Sequence, residues 1–264
     1  ISGVHASMDG AFSVQRGRFE DNACGVAPFD EAIGSVVAFG CALAVVGPTL
    51  TVSDTVFTRN SIENGELFSP SYGGALYVSL GEVFAQNVTF THNLAPGGGA
   101  FVMDEAQNGE VRDCVFRYNS ATILPSVFSE VGMGQGGAVV VRNSNSMMNL
   151  LIRSCVFEEN FATAGGAVHT LTAGSLTLRD CSFNRNQAVL AGGALLAARS
   201  VSGFAAPILE NCSFVDNAAN WTGGAVFVSA TGLVVSGSTF VRNQVCCFEM
   251  CKIRIETFLC PVIL

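Results

Sequence analysis

Two short motifs recur along most of the chain and alternate in a fixed order. The first is Phe-x-x-Asn, which begins at Phe19, Phe57, Phe90, Phe116, Phe157, Phe183, Phe214 and Phe240. The second is Gly-Gly-Ala followed by an apolar residue, which begins at Gly73, Gly98, Gly136, Gly165, Gly192 and Gly223. Successive motif phenylalanines are 38, 33, 26, 41, 26, 31 and 26 residues apart. A basic repeat of 26 residues, lengthened by insertions, therefore organises the chain.

Each repeat contains short stretches that are typical of β-strands. Between Ser175 and Phe183 apolar and polar residues alternate, and the alternation shifts by one residue at Arg179, which predicts two strands joined by a tight bend. A third apolar stretch follows each Gly-Gly pair, as in Val226 to Val228. One such coil cannot bury its own face and must stack on its neighbours. The sequence predicts an all-β fold, a parallel β-helix (solenoid) of about eight coils with three short strands per coil.

In such a stack, equivalent residues of successive coils lie above one another. The motif phenylalanines are predicted to form an aromatic column in the interior. The motif asparagines are predicted to close a corner, where each amide bonds the local backbone and the amides above and below it. This structural Asn corner consists of Asn22, Asn60, Asn93, Asn119, Asn160, Asn186, Asn217 and Asn243. The Gly-Gly pairs are predicted to mark a corner that needs positive φ or close backbone approach.

A column of cysteines is predicted beside the phenylalanines. Cys114, Cys155, Cys181 and Cys212 each lie two residues before a motif phenylalanine. Stacked β-carbons would be about 4.8 Å apart, farther than the roughly 3.5 to 4.5 Å that a disulfide prefers. We therefore expect buried free thiols at these positions.

The end of the chain departs from the repeat. Residues 245–264 hold four cysteines and Lys252, which is the only lysine of the sequence. The predicted organisation is a parallel β-helix over residues 1–244 followed by an off-repeat, Cys-rich tail over residues 245–264. A zinc site in the tail is a weaker hypothesis, since the cysteine spacing fits no usual zinc knuckle.

Charge and motif content exclude several function classes. The net charge of −8 gives no electrostatic basis for binding nucleic acid or an anionic membrane. The longest apolar stretch, residues 33–46, is shorter than the roughly 18 residues of a transmembrane helix. Asp54, Asp113 and Asp180 share one position, three residues before a phenylalanine, where polar bends favour Asp in any case. Catalysis or calcium binding there are minor alternatives, so we predict no catalytic residues, no metal and no cofactor.

The alternation of the two motifs over about residues 17–244 resembles the repeats of the chlamydial polymorphic outer membrane proteins. The resemblance implies a right-handed parallel β-helix with the pectin-lyase fold. It also implies a non-enzymatic structural or adhesive role, in a segment of a larger extracellular or cell-surface protein. The expected partner is a protein or glycan at a cell surface, with self-association possible. The alternative function is a polysaccharide lyase or hydrolase of the same fold, although the acidic clusters and Arg-Lys pairs of those enzymes are not found here.

A possible partner-binding stripe follows the Gly-Gly-Ala motifs. Residues such as Leu76 and Val78 are predicted to point inward, so the residues between them must face outward. This outer stripe consists of Tyr77, Val102, Val140, His169, Leu196 and Phe227. It is more apolar than a solvated sheet face should be. Either the inserted segments 61–72 and 120–135 or the tail cover it, or it docks another protein or a second copy of the chain.

Three tripeptides fit the acceptor pattern for N-linked glycosylation. They are Asn87-Val-Thr, Asn211-Cys-Ser and Asn220-Trp-Thr. In a chain rich in Asn, Ser and Thr, two or three such sequons are expected by chance. They therefore add little to the prediction of an extracellular location.

Overall fold

A computed structural model describes residues 4–7, 11–25, 40–47, 49–63, 72–121, 134–143, 148–172, 174–198, 206–229, 232–247 and 251–254. The regular secondary structure of these ranges is β-strand, and the strands form four sheets. We call them sheets A, B, C and D, in the order in which each coil passes through them. Within these ranges no helix has the length and hydrophobicity that crossing a membrane requires.

Each coil contributes one strand to each sheet. Sheet A consists of Val4–Ser7, Leu43–Val46, Leu76–Ser79, Phe101–Asp104, Val139–Asn143, Val168–Thr172, Leu195–Ala197 and Val226–Val228. Sheet B consists of Phe12–Gln15, Leu50–Ser53, Val83–Gln86, Asn108–Arg112, Asn149–Arg153, Ser175–Arg179, Ile208–Glu210 and Val234–Ser236. Sheet C consists of Arg18–Glu20, Val56–Thr58, Thr89–Thr91, Val115–Arg117, Val156–Glu158, Ser182–Asn184, Ser213–Val215 and Thr239–Val241. Sheet D consists of Ala23–Gly25, Ser61–Glu63, Leu94–Ala95, Ser120–Ala121, Phe161–Ala162, Gln187–Ala188, Ala218–Ala219, Gln244–Cys247 and Cys251–Arg254.

The sheets confirm a parallel β-helix of eight coils. Apart from Cys251–Arg254, the strands pair in parallel with the equivalent strands of neighbouring coils, so that Phe90 lies between Phe57 and Phe116 in sheet C. The expectation of three strands per coil is wrong, because a fourth strand follows the motif asparagine. In the middle coils this strand has only two residues, as in Phe161–Ala162. Two residues are too few to show the alternation of apolar and polar residues by which a strand is recognised in a sequence.

The motif phenylalanines form the predicted column through the interior. Rings of successive coils from Phe19 to Phe240 lie parallel, with centroids 4.7 to 5.0 Å apart. Six of the eight, from Phe57 to Phe214, are completely buried. The spacing follows from the distance between hydrogen-bonded strands, which is about 4.8 Å. The backbone ladder therefore determines the ring separation, and the rings fill the space that the coils enclose.

Turns in the left-handed region shape each coil on both sides of the sheet C strand. Asp113 and Tyr118 flank the strand of the fourth coil, and both have a φ of +54°. The two glycines of the Gly-Gly motif have different reasons to be glycine. Gly192 has a φ of +64°, whereas a β-carbon on Gly193 would lie only 2.0 Å from the carbonyl oxygen of Gly224 in the next coil. Positive φ thus explains the first glycine of the pair, and close approach explains the second.

The repeat pairing runs slightly past residue 244. Val245 still pairs in parallel with Ala219 of the preceding coil. The strand Cys251–Arg254 then pairs antiparallel with Gln244–Cys247, which ends the regular stacking at sheet D. Residues 255–264 and most of the inserted segments 61–72 and 120–135 lie outside the described residues.

The motif asparagines form a continuous hydrogen-bonded ladder along the coil stack. Asn93 donates to the side-chain oxygen of Asn119 twice, from its backbone N–H at 3.1 Å and from its side-chain Nδ2 at 3.0 Å. The same Nδ2 also donates to the carbonyl oxygen of Phe57, at 3.0 Å. The pattern recurs from Asn60 to Asn217, and these side chains are completely buried. Each asparagine thus links three successive coils.

Substituting Asn160→Ala should destabilise the protein strongly. The change leaves the backbone N–H and Nδ2 of Asn119 and the carbonyl of Phe116 without their partners in a buried site. Because unsatisfied buried groups cost about 1 to 3 kcal/mol each, we expect a loss of at least ~3 kcal/mol in the free energy of unfolding. Urea denaturation measures this loss.

The matched control is Asn184→Ala in the next coil. Asn184 is half-buried and lies outside the ladder, and its substitution should change the free energy of unfolding by less than ~1 kcal/mol. Equal effects of the two substitutions would show that the amide ladder does not hold the coils together.

Candidate functional site

The outer stripe faces away from the coil interior, as predicted, but it is not exposed. Its residues lie in register in sheet A, in the order Tyr77, Val102, Val140, His169, Leu196 and Phe227. The first five are at most 7% exposed, and Phe227 is half-buried. This burial supports the alternative in which other segments cover the stripe, and not the alternative of an exposed docking surface. Alternation along a strand gives the direction of a side chain and does not report what covers it.

Tyr72, the last residue of the inserted segment 61–72, covers part of the outer stripe. Tyr72 packs with Tyr77, Val102 and Val140 in a cluster that is separate from the main core. This position favours coverage by the inserted segment over a docking role. The guanidinium of Arg142 lies 4.6 Å from the centroid of the Tyr72 ring and adds a cation–π contact.

A tyrosine–carboxylate contact lies at the polar edge of this cluster. The hydroxyl of Tyr77 donates a hydrogen bond of 2.8 Å to Asp104. Burial, together with the negative charge of Asp104, raises the pKa of Tyr77 above its ordinary value. The tyrosine therefore stays protonated and remains a hydrogen-bond donor.

His169 is the exceptional member of the stripe. It lies between Val140 and Leu196, and its side chain is buried with no hydrogen-bond partner at either ring nitrogen among the residues that the structure describes. Burial, with a smaller contribution from Arg142, lowers the pKa of His169 to about 3. A neutral imidazole without partners can pack here, whereas an imidazolium would be strongly disfavoured.

The outer face of sheet B carries a cleft. It is shallow, with a volume of about 430 Å³. Its lining combines apolar, amide and charged side chains from Phe84, Asn108, Glu110, Asn149, Leu150, Leu151, Ser175, Thr177 and Arg179, together with Gly109. Phe84 at this face is 41% exposed.

Three arginines stand in register on the same face of sheet B, and one of them, Arg179, lines the cleft. Arg112, Arg153 and Arg179 occupy equivalent positions in three successive coils of sheet B. Arg153 pairs with Glu110 at 2.5 Å, and Arg179 pairs with Glu210 at 2.6 Å. Arg112 instead donates to the neutral side chain of Gln86, at 2.5 Å. Within the described ranges no carboxylate pairs with Arg112, so its charge is available to a ligand.

The stacked aspartates are turn residues. Asp54, Asp113 and Asp180 all have positive φ, from +50° to +54°. Asn87 donates to Asp54 at 2.7 Å, and Asn211 donates to Asp180 at 3.3 Å. In the described part of the chain, no three His, Cys, Asp or Glu side chains lie close enough to hold a metal ion.

The cysteine column contains free thiols, as predicted. Cys114, Cys155, Cys181 and Cys212 are buried and unbridged. Contact with the neighbouring sulfurs of Cys114 and Cys181, together with burial, raises the pKa of Cys155 above its ordinary value. Because all four thiols are buried inside the coil, they are packing residues that an external substrate does not reach.

One disulfide, between Cys24 and Cys41, was not predicted from the sequence. The two α-carbons are 5.7 Å apart. Cys24 lies in sheet D of the first coil, and Cys41 lies just before sheet A of the second coil. Neither cysteine occupies the repeated position of the free thiols. This difference was the feature of the sequence that could have pointed to a disulfide.

Comparisons with known proteins agree with this architecture. Residues 2–183 match the family model described as "Right handed beta helix region". "Metabotropic glutamate receptor-like protein P" of Dictyostelium discoideum is 30% identical over 222 residues, which is 75% of this chain and 14% of that protein. "Metabotropic glutamate receptor-like protein R" of the same organism is 27% identical over 173 residues, 62% of this chain and 10% of that protein. The chain thus spans a seventh or less of these relatives. No solved structure matches it significantly.

Replacing His169→Leu should stabilise the protein and reduce its sensitivity to acid. Because the pKa of His169 is about 3 in the folded protein and about 6.5 in the unfolded chain, the unfolded chain binds the extra proton between these values. Stability is therefore lost as the pH falls from about 6.5 towards 3. Between pH 7 and pH 4, the free energy of unfolding of the wild type should fall by about 3 kcal/mol more than that of the variant. Urea denaturation at each pH measures this difference.

His92→Leu is the matched control, because His92 is exposed and lies outside the stripe. This variant should follow the wild-type pH dependence. An unchanged acid slope in the His169→Leu protein would contradict the burial of an unpartnered imidazole.

Proposed function

Because the chain belongs to the family of right-handed β-helix regions, we propose that it is a non-enzymatic binding segment of a larger extracellular or cell-surface protein. Its repeats are of the polymorphic outer membrane protein type in this proposal. Its ligand is an extended acidic molecule, either an acidic glycan or an acidic stretch of a surface protein, and the binding site is the outer face of sheet B.

The arginine column beside the open cleft carries the proposal. Guanidinium groups recognise carboxylates and sulfates through paired hydrogen bonds. The stacking of coils repeats this group at the strand spacing of about 4.8 Å, which suits a ligand that runs along the axis of the helix. Phe84 and Leu151 offer apolar surface at the same face.

The net negative charge of the chain means that an acidic ligand has to be held by local contacts with the arginine column. The chain has a net charge of −8, so an acidic ligand is repelled by the molecule as a whole. Glu110 and Glu210 already neutralise two arginines of the column. Arg112 is therefore the residue whose charge contributes most to ligand binding, through a short-range contact.

Two further observations support an extracellular location. Disulfides persist mainly in oxidising compartments, and Cys24 and Cys41 form one. The relatives in Dictyostelium discoideum carry receptor-like names, which suits a surface protein. Neither observation identifies the ligand.

Substituting Arg112→Glu should weaken binding of acidic polysaccharides. The probes are polygalacturonate and heparin, with dextran as the neutral polysaccharide, and the measurement is titration calorimetry on the full chain. We expect wild type to bind an acidic probe and the variant to bind it at least tenfold more weakly, since reversing a contact charge is worth about 1.4 kcal/mol or more. Affinity should also fall with added salt.

Arg16→Glu is the matched control, because Arg16 is an exposed arginine of the first coil and causes the same change in net charge. It should leave the affinity nearly unchanged. Equal weakening by both variants, or no binding of either acidic probe, would contradict the proposed site. Shortening of the polysaccharide during the titration would instead support the lyase or hydrolase alternative.

A further inference from the structure

The tripeptide Asn220-Trp221-Thr222 lies at an exposed corner between sheet D of the seventh coil and sheet A of the eighth. The side chain of Trp221 is 68% exposed, the largest exposure among the large hydrophobic side chains that the structure describes. Its backbone is nevertheless held in place, because the N–H of Trp221 donates to the carbonyl of Leu190 at 3.0 Å. A fixed backbone that presents a bare indole ring to solvent indicates a partner for the ring.

The neighbouring residue supplies an attachment point for such a partner. Asn220 is half-buried, and its side-chain amide forms no hydrogen bond with the described residues. Thr222 places a hydroxyl two residues later, which completes the acceptor pattern for N-linked glycosylation. The amide, the indole and the hydroxyl are therefore adjacent at one solvent-facing corner.

The other two sequons are built differently. The amide of Asn87 donates to Asp54, and the amide of Asn211 donates to Asp180, so both are engaged in turns of the stack. Their middle residues, Val88 and Cys212, are buried inside the coil. Only the Asn220 sequon has an unengaged amide and an exposed middle residue.

We propose that Asn220 carries an N-linked glycan whose first sugar packs on the ring of Trp221. This inference rests on the proposed extracellular location, since the modification occurs along the export route. The side-chain nitrogen of Asn220 forms a bond to the anomeric carbon of an oligosaccharide carried on a polyprenyl pyrophosphate, which a cellular transferase supplies. The bond from that carbon to the pyrophosphate oxygen breaks, the pyrophosphate leaves with the electron pair, and a base takes the amide proton.

The first test measures occupancy of the site. The full chain, fused to a cleavable export signal, is translated into eukaryotic microsomes, and protease protection reports its entry into the lumen. Peptide mapping before and after treatment with a glycan-releasing amidase should show a glycan on the peptide that contains Asn220. Thr222→Ala should remove this glycan, whereas Thr222→Ser, Asn87→Gln and Asn211→Gln should retain it. Unmodified Asn220 in protected wild-type protein would overturn the proposal.

The second test measures contact between the sugar and the indole. Trp221 is the only tryptophan of the chain, so its fluorescence reports this corner alone. Glycosylated protein should show roughly twofold weaker quenching by iodide than deglycosylated protein, because a sugar on one face shields about half of the ring. The amidase leaves Asp at position 220, so Asn220→Asp is the control and should match the deglycosylated protein. Equal quenching with and without the glycan would overturn the packing of the sugar on Trp221.

These results are separable from the proposed function. The added signal directs the chain into the lumen wherever the protein normally resides. Finding the endogenous protein only in the cytosol would contradict the extracellular location and leave the acceptor chemistry of Asn220 established. Finding exported protein without glycan at Asn220 would contradict the modification and leave the binding role of sheet B unaffected.

Discussion

Translation along the axis by one strand spacing is the constraint on which the rest of this structure depends. Parallel backbone pairing places each coil about 4.8 Å above the last, so every interior position must accept a copy of itself at that distance. Phenylalanine satisfies this condition by flat stacking, with ring centroids 4.7 to 5.0 Å apart. Asparagine satisfies it because its amide both donates and accepts, so that a buried column has no unpaired groups.

Much of the fold was predictable because this constraint requires the same residue type at the equivalent position of each coil. The Phe and Asn columns, the inward side of sheet A and the free thiols followed from repeat spacing alone. The fourth strand did not, because a two-residue strand such as Leu94–Ala95 leaves no periodic pattern. The Cys24–Cys41 disulfide did not either, since it joins two positions that do not repeat along the stack.

The candidate site was less predictable, for a related reason. The outer stripe repeats in sheet A and was visible in the sequence, but its burial depends on residues outside the repeat, such as Tyr72. On sheet B the outward residues change from coil to coil, from Phe84 to Glu110 to Leu151. Such variation carries no periodic signal, yet it is what gives one face of a uniform stack a distinct chemistry. Arg112, Arg153 and Arg179 are different, because each lies four residues before a motif phenylalanine; the repeat spacing already carried this signal, and the strand register confirms the column.

The central claim is that asparagine side chains couple neighbouring coils, and hydrogen exchange of the asparagine backbone amides tests it most directly. The backbone N–H of each motif asparagine from Asn60 to Asn186 donates to a buried side-chain oxygen in the next coil. These amides should exchange only on global unfolding, as slowly as those of the paired phenylalanine strands. Exchange of the asparagine amides at rates close to those of an unfolded chain would contradict the account.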